Sequence, residues 1–286
     1  MTKSDGPMTQ QMRDAQGRVL VFDSGMGGLT VAREIRQIAP ALQVDYAADT
    51  GFFPYGDKSD EALRARLPEV AAALVREARP DVFVIACNTA STLALDDVRA
   101  RLDIPVVGTV PAIKPAASLT RTGVIGLLAT PGTIRRAYTA RLIEEFASDV
   151  TVILHGSVDL VHLAEAFAAG EAYDARGFAA ALAPIFNARD GNIVDTIVLA
   201  CTHFPLVRAR LAAAAPDGVT FIDSGAAIAR QTLRVLGSTA LAGRSEEAGG
   251  RLFITDEGSE HARLVKVCAR FGFERVGPPV LLTAER

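Results

Sequence analysis

Asp81-Val-Phe-Val-Ile-Ala-Cys87-Asn88-Thr89 returns later in the chain as Asp195-Thr-Ile-Val-Leu-Ala-Cys201-Thr202-His203. Each copy is an aspartate, a β-branched apolar run of strand length, then Ala-Cys and two small or polar residues. The six-residue step from Asp to Cys is the same in both. Runs this continuously apolar are buried on both faces, which implies parallel strands with helices above and below them. A looser echo, Val19–Gly25 and Val124–Thr130, lies upstream of each copy. The reading is two similar α/β halves, each presenting a cysteine just beyond the carboxyl end of a strand. In open α/β sheets that is where ligands bind.

Working outward, short apolar runs alternate with Ala/Leu/Arg-rich segments of helical period. Strands are expected at Val19–Phe22, Val44–Ala47, Val82–Ala86, Val106–Val107, Val124–Leu128, Val150–Leu154, Ile193–Ala200, Thr220–Ile222 and Leu252–Ile254. Helical segments include Leu29–Ile38, Asp60–Glu77, Ser91–Arg101, Thr133–Phe146, Leu160–Ala169, Phe178–Ala188, Ala226–Val235 and Ser259–Phe271. Pro40 and Pro80 stop helices, whereas Pro68 sits inside one and is expected to kink it. The fold class is α/β: two similar three-layer half-domains with mainly parallel sheets, pseudo-two-fold related, with the active site in the cleft between them. Residues 1–17 read as a polar arm. Residues 18–111 with 225–286 form a discontinuous first domain carrying Cys87, and residues 112–224 a second carrying Cys201. The polar stretch Gly237–Gly250 reads as a linker or exposed loop.

Composition narrows the function. Over 286 residues, 49% are hydrophobic and 22% charged, enough apolar surface for packed domains rather than disorder. A net charge of −3 supplies no positive field for nucleic acid or anionic membranes, and the absence of Trp removes the best stacking platform. No apolar run approaches the roughly 18 residues that span a bilayer. The first 18 residues lack the apolar core of a secretory signal, so the expected compartment is the cytoplasm, with all three cysteines as thiols. Exposed helices on either half leave room for a homodimer.

A lone cysteine at a strand end is ordinary core packing, and Cys268, in an apolar helical run, keeps that reading. Cys87 and Cys201 differ because hydrogen-bonding or titrating side chains follow each at once. A helix N-terminus beyond the strand would also lower a thiol's pKa. One activated cysteine with His203 as base suggests an acyl transferase or hydrolase. Two cysteines on facing halves suggest an acid and a base on opposite sides of one carbon, inverting a stereocentre. No Cys-x-x-Cys supports a redox dithiol. Cys201-x-His203 is too sparse for zinc, and His155 and His162 have no third ligand, so no metal is implied. None of the four lysines sits at an apolar strand end, which argues against a Schiff-base cofactor. In Asp23-Ser24-Gly25-Met26-Gly27-Gly28 the dinucleotide fingerprint is absent, but backbone N–H groups there can hold a carboxylate, and Asp23 can accept from an ammonium or assist a thiol. Pro54-Tyr55-Gly56 is a turn that either punctuates or lines a cleft.

Val21-Phe-Asp23-Ser24-Gly25-Met-Gly-Gly28-Leu-Thr-Val, Pro54-Tyr55-Gly56, Ala86-Cys87-Asn88-Thr89-Ala90-Ser91 and Leu199-Ala-Cys201-Thr202-His203-Phe-Pro205-Leu206 resemble glutamate racemases, in the family's order and spacing. Asp223-Ser224-Gly225 continues the match, which runs from about Arg18 to Gly277. The resemblance implies cofactor-independent interconversion of L- and D-glutamate, a small-molecule substrate, for peptidoglycan synthesis. It implies Cys87 and Cys201 as the catalytic thiols, Asp23 assisting the first and His203 the second, with Glu165 near the second. It assigns the substrate's ammonium and carboxylates to Asp23, Ser24, Tyr55, Gly56, Asn88, Thr89, Thr202 and His203. Many members have Cys-Pro where this chain has His155-Gly156, outside the catalytic pair. Aspartate as substrate, or a cysteine-nucleophile hydrolase or amidase, are the alternatives.

Overall fold

The structure is a computed structural model that describes residues 17–237, 250–258, 261–275 and 277–282. The expected arm, apart from Gly17, and the interior of the Gly237–Gly250 stretch lie outside the described residues.

The chain runs β1 (Arg18–Asp23), α1 (Leu29–Ile38), β2 (Gln43–Ala48), α2 (Asp60–Ala78), β3 (Val82–Ile85), α3 (Asn88–Arg101) and β4 (Val106–Gly108). It continues with α4 (Ile113–Leu119), β5 (Val124–Ala129), α5 (Pro131–Arg135), α6 (Ala137–Phe146), β6 (Thr151–Gly156), α7 (Asp159–Ala169) and α8 (Arg176–Phe186). Then come β7 (Thr196–Ala200), α9 (Arg208–Ala214), β8 (Thr220–Ile222), α10 (Gly225–Leu236), β9 (Gly250–Ile254), α11 (His261–Arg270) and β10 (Phe273–Arg275). The local rules are visible in α2. Ser59 Oγ accepts from the Ala62 N–H, Asp60 and Glu61 fill the first turn, and Arg79 ends the helix in the left-handed region at φ 51°.

Six strands form one sheet in the order β10-β9-β2-β1-β3-β4, and four form another in the order β6-β5-β7-β8. Among the described residues every pairing is parallel. The run β2-β1-β3-β4 has the same connectivity as β6-β5-β7-β8, so the echo in the sequence is an echo in topology. In each sheet the crossover direction reverses between the two central strands, β1/β3 and β5/β7. A crevice opens at that point above the strands' carboxyl ends. Cys87 follows β3 and Cys201 follows β7, which puts one thiol at each switch point. Apolar side chains cover both faces of each sheet, as the continuous strand runs require.

Several expectations shift. Residues Gly191–Ile193 form a 3₁₀ turn, so β7 begins only at Thr196. The expected Thr133–Phe146 helix is two helices, parted at Arg136, whose backbone is extended (φ −76°, ψ 139°). Pro68 lies within one helix, while the non-helical backbone in this region belongs to Ala94 of α3 (φ −130°, ψ 19°). Strand β10 and helices α4 and α9 join the expected elements.

The late strand β9 pairs with β2 and is clamped there by charge. Asp45 of β2 is fully buried and accepts from the Arg251 N–H at 2.9 Å, Nε at 3.1 Å and Nη2 at 2.7 Å. Arg18 Nη1 stands 3.6 Å from the same carboxylate. Removing one partner of a buried pair strands the other charge in a low-dielectric site. Arg251→Ala is expected to lower the unfolding free energy by about 2 kcal/mol, less than a fully buried pair because Arg251 is partly exposed and Arg18 remains. Urea denaturation checks this, and an unchanged midpoint would remove the clamp from the account.

Candidate active site

The site grows from the two switch points. At the end of β1, Asp23 is fully buried; its Oδ1 accepts from the Gly25 N–H at 3.0 Å and the Ser24 hydroxyl at 3.3 Å. Its Oδ2 accepts from the Thr202 hydroxyl of the other sheet's loop at 2.8 Å. The loop is pinned from beneath, where Tyr46 donates to the Gly25 carbonyl at 2.7 Å. Its glycines are needed for this approach. A Cβ on Gly27 would fall 2.5 Å from Thr202 Oγ1 and 2.7 Å from His203 Nδ1.

Cys87 is the N-cap residue of α3. The expectation was that the helix end lowers its pKa, and the N–H groups of Ala90 and Thr89 do pull in that direction. Burial works against them and dominates, helped by the Asp23 and Cys201 charges, so the thiol is pushed up to about 12. Cys201 is placed differently. A 3₁₀ turn at Phe204–Val207 separates it from α9, and its neighbour is an imidazole instead of a helix end. His203 Nδ1 stands 3.9 Å from Cys201 Sγ, and Nε2 stands 3.0 Å from Glu165 Oε1. Burial favours neutral His203, but hydrogen bonds and charge from Cys201 and Glu165 outweigh it and push its pKa well above the ordinary value. Only the imidazolium can donate on both sides, which is what a thiolate and a carboxylate together call for.

The remaining wall is Phe53-Pro54-Tyr55-Gly56. Tyr55 is buried, and its hydroxyl donates to Asp49 Oδ2 at 2.6 Å. Asp49 also receives Arg66 Nε and Nη2, each at 2.7 Å, and the Thr255 hydroxyl at 2.6 Å. Opposite, Thr89 and Thr130 share a hydroxyl contact of 3.2 Å across the two lobes. Arg136, nine-tenths buried, crosses from the second lobe to donate to the Thr89 carbonyl at 2.9 Å and to Asp60 at 2.8 Å. That reach explains the break between α5 and α6.

These elements form a narrow cleft lined by Ser24, Pro54, Tyr55, Gly56, Cys87, Asn88, Thr89, Cys201, Thr202 and His203. Asp23 and Glu165 do not line it; they stand behind Thr202 and His203 as acceptors. Sequence reasoning missed Thr130, Phe53, Val158 and Val161, which complete the lining. Thr130 was within reach: it follows β5 as Ser24 follows β1. Asn88 Oδ1 is buried with no hydrogen-bond partner among the described residues, an acceptor suited to an ammonium group.

Burial raises Cys87 above a free thiol, so without substrate its protonated form is favoured at neutral pH. Thiolate absorbance in the ultraviolet, measured as wild type minus Cys87→Ser, is expected to titrate well above the free-cysteine value of about 8.5. Titration near or below that value would contradict the assignment of burial as the dominant effect.

Residues 20–232 match the family described as Asp/Glu/Hydantoin racemase. A glutamate racemase of Klebsiella pneumoniae is 45% identical over 260 residues, covering 91% of each chain. One from Brucella anthropi is 49% identical over 224 residues, 78% of this chain and 81% of the relative. The structure superposes on Escherichia coli glutamate racemase, solved with L-glutamate and the activator UDP-MurNAc-Ala, at a TM-score of 0.85 and 42% identity, covering 91% of this chain and 97% of that one. A Bacillus anthracis glutamate racemase gives 0.76 at 28% identity, covering 92% and 98%. With the family model matched over most of the chain and relatives this similar along most of their length, the chain belongs to the Asp/Glu/Hydantoin racemase family.

Proposed function

We propose that this chain interconverts L- and D-glutamate by a two-thiol, cofactor-independent reaction, acting in the cytoplasm to supply D-glutamate for peptidoglycan. The observation that carries the reading is that Cys87 and Cys201 line one cleft from two different sheets. One thiolate takes the α-proton, leaving the electron pair on the α-carbon, and the other thiol gives its proton to the opposite face. The proton count balances, and the two sulfurs end with exchanged protonation states. The reverse direction exchanges their roles again. The division into lobes, 18–111 with 225–286 and 112–224, belongs to the same proposal and is supported by sheet membership.

The residues then take distinct parts. Cys87, with its raised pKa, starts as the proton donor, and Cys201 beside the His203 imidazolium starts as the base. The Asp23 charge adds to burial in keeping the proton on Cys87. Asn88 Oδ1 meets the substrate ammonium, while the Thr89 hydroxyl and the Gly56 backbone offer neutral donors to the carboxylates; Ser24 and Thr202, whose hydroxyl protons go to Asp23, line the cleft beside them. Neutral donors suit a carbanion-forming step, because they orient the substrate without a fixed countercharge that anchors its ground state. The buried walls exclude water from a weakly acidic α-carbon.

Purified protein without added cofactor is expected to abolish the circular dichroism of L-glutamate. Cys87→Ala and Cys201→Ala each lose about a thousand-fold or more in turnover. Activity retained in both would refute the two-thiol reaction, and faster turnover of aspartate in a substrate panel would refute the choice of glutamate. Gly27→Ala forces the loops at Thr202 and His203 apart and is expected to lower kcat/KM about a hundred-fold with the fold intact by far-ultraviolet dichroism. Wild-type turnover in that variant would mean that the close approach is dispensable.

A further inference from the structure

Behind Glu165, on the side away from the cleft, a cation arrives from the other lobe. Helix α11 lies between β9 and β10 of the six-stranded sheet, yet it packs against α7 of the four-stranded lobe. Arg263 of α11 places Nη1 3.8 Å from Glu165 Oε2, while Glu165 Oε1 stands 3.0 Å from His203 Nε2. The other guanidinium nitrogen, Nη2, is 3.0 Å from Glu171 Oε2 just beyond α7. A second arginine of the same helix, Arg270, donates to the Ala168 carbonyl at 3.1 Å and fixes the end of α7. Glu165 is 3% exposed and the Arg263 side chain 20% exposed, so little water screens their attraction.

We infer that Arg263 is a positioning residue for the racemisation proposed above: it holds the Glu165 carboxylate turned toward His203, and so supports the His203 imidazole beside Cys201 from the opposite lobe. A buried carboxylate facing only an imidazole has a competing state in which the proton sits on the carboxylate and the imidazole is neutral. A cation on the far oxygen disfavours that state and leaves the imidazolium beside Cys201. Because Arg263 belongs to the other lobe, the setting of the base depends on the contact between the lobes. Glu171 competes for the same guanidinium, so the two glutamates act on it in opposite senses.

The other titratable and charged groups around the pair are Cys201 on its own lobe, and Asp23, Tyr46 and Cys87 from the first lobe. His162 lies exposed one turn earlier on α7, and Arg210 stacks on Phe167 at 5.6 Å. None of these is altered by the test. Removing a cation raises the proton affinity of every group near it, and removing an anion lowers it. The acid limb of kcat/KM, where the cluster takes up one proton too many, therefore moves up in Arg263→Gln and down in Glu171→Gln.

The inference rests on the racemase reading, so wild-type racemisation of L-glutamate is measured first across pH with the full chain. Arg263→Gln is expected to shift the acid limb upward by about half a pH unit and to lower neutral kcat/KM about five-fold. Arg263→Lys returns the limb toward wild type. Glu171→Gln shifts it downward by a smaller amount, because Glu171 is half exposed. A racemising wild type with unshifted limbs in the variants overturns the role of Arg263 alone. A wild type without turnover overturns the racemase reading and this one together. If Arg263→Gln does not fold, Glu171→Gln decides: no downward shift overturns the proposal.

Discussion

The hydrogen bond from the Thr202 hydroxyl to Asp23 ties the end of one central strand to the residue after the second thiol. Neither partner is exposed, so neither has water as an alternative, and separating them strands a buried carboxylate. Each sheet carries an apolar core, and the cores meet where Ala168, Ala169 and Leu206 of the second lobe pack on the first and Phe53 of the first packs on the second. Polar contacts at the crevice add direction to that apolar meeting. The loop opposite Thr202 has glycine where any side chain would collide with Thr202 and His203.

The crossings are reciprocal. Arg136 leaves the second lobe to hold the Thr89 carbonyl beside Cys87, and Arg263 leaves the first lobe to reach Glu165 behind His203. Each thiol thus has a neighbour secured by a guanidinium from the other side. The thiols themselves are unlike, however. One caps an α-helix and is kept protonated by burial, whereas the other faces an imidazole. Enantiomers in water have equal free energies, so this asymmetry cannot favour one product. It keeps the proton on Cys87 before substrate arrives.

Much of the architecture was legible because parallel strands buried on both faces leave uninterrupted apolar runs, as at Val82–Ile85 and Thr196–Ala200. Strand β10 was not, since Phe273-Glu-Arg is three residues with one buried side chain, and its partner β9 alone defines it. Ile193 was misread as strand because apolar character continues through it, although the backbone turns at Gly191. The break at Arg136 depends on partners at Asp60 and Thr89, far away in sequence, and leaves no local signature. The cysteines, Asp23 and His203 were legible through the repeat and its polar flanks. Arg263 was not, because its role is defined by Glu165 on another helix rather than by its own surroundings in the chain.

The central claim is that separate sulfurs handle the proton on the two faces of the α-carbon. The most direct measurement follows single turnovers of protiated L-glutamate in deuterated water and reads label in both enantiomers by mass spectrometry. Two thiols predict deuterium in the D-glutamate formed and none in the L-glutamate recovered at early times. Equal labelling of the recovered and converted enantiomers would mean that one group serves both faces and would contradict the account.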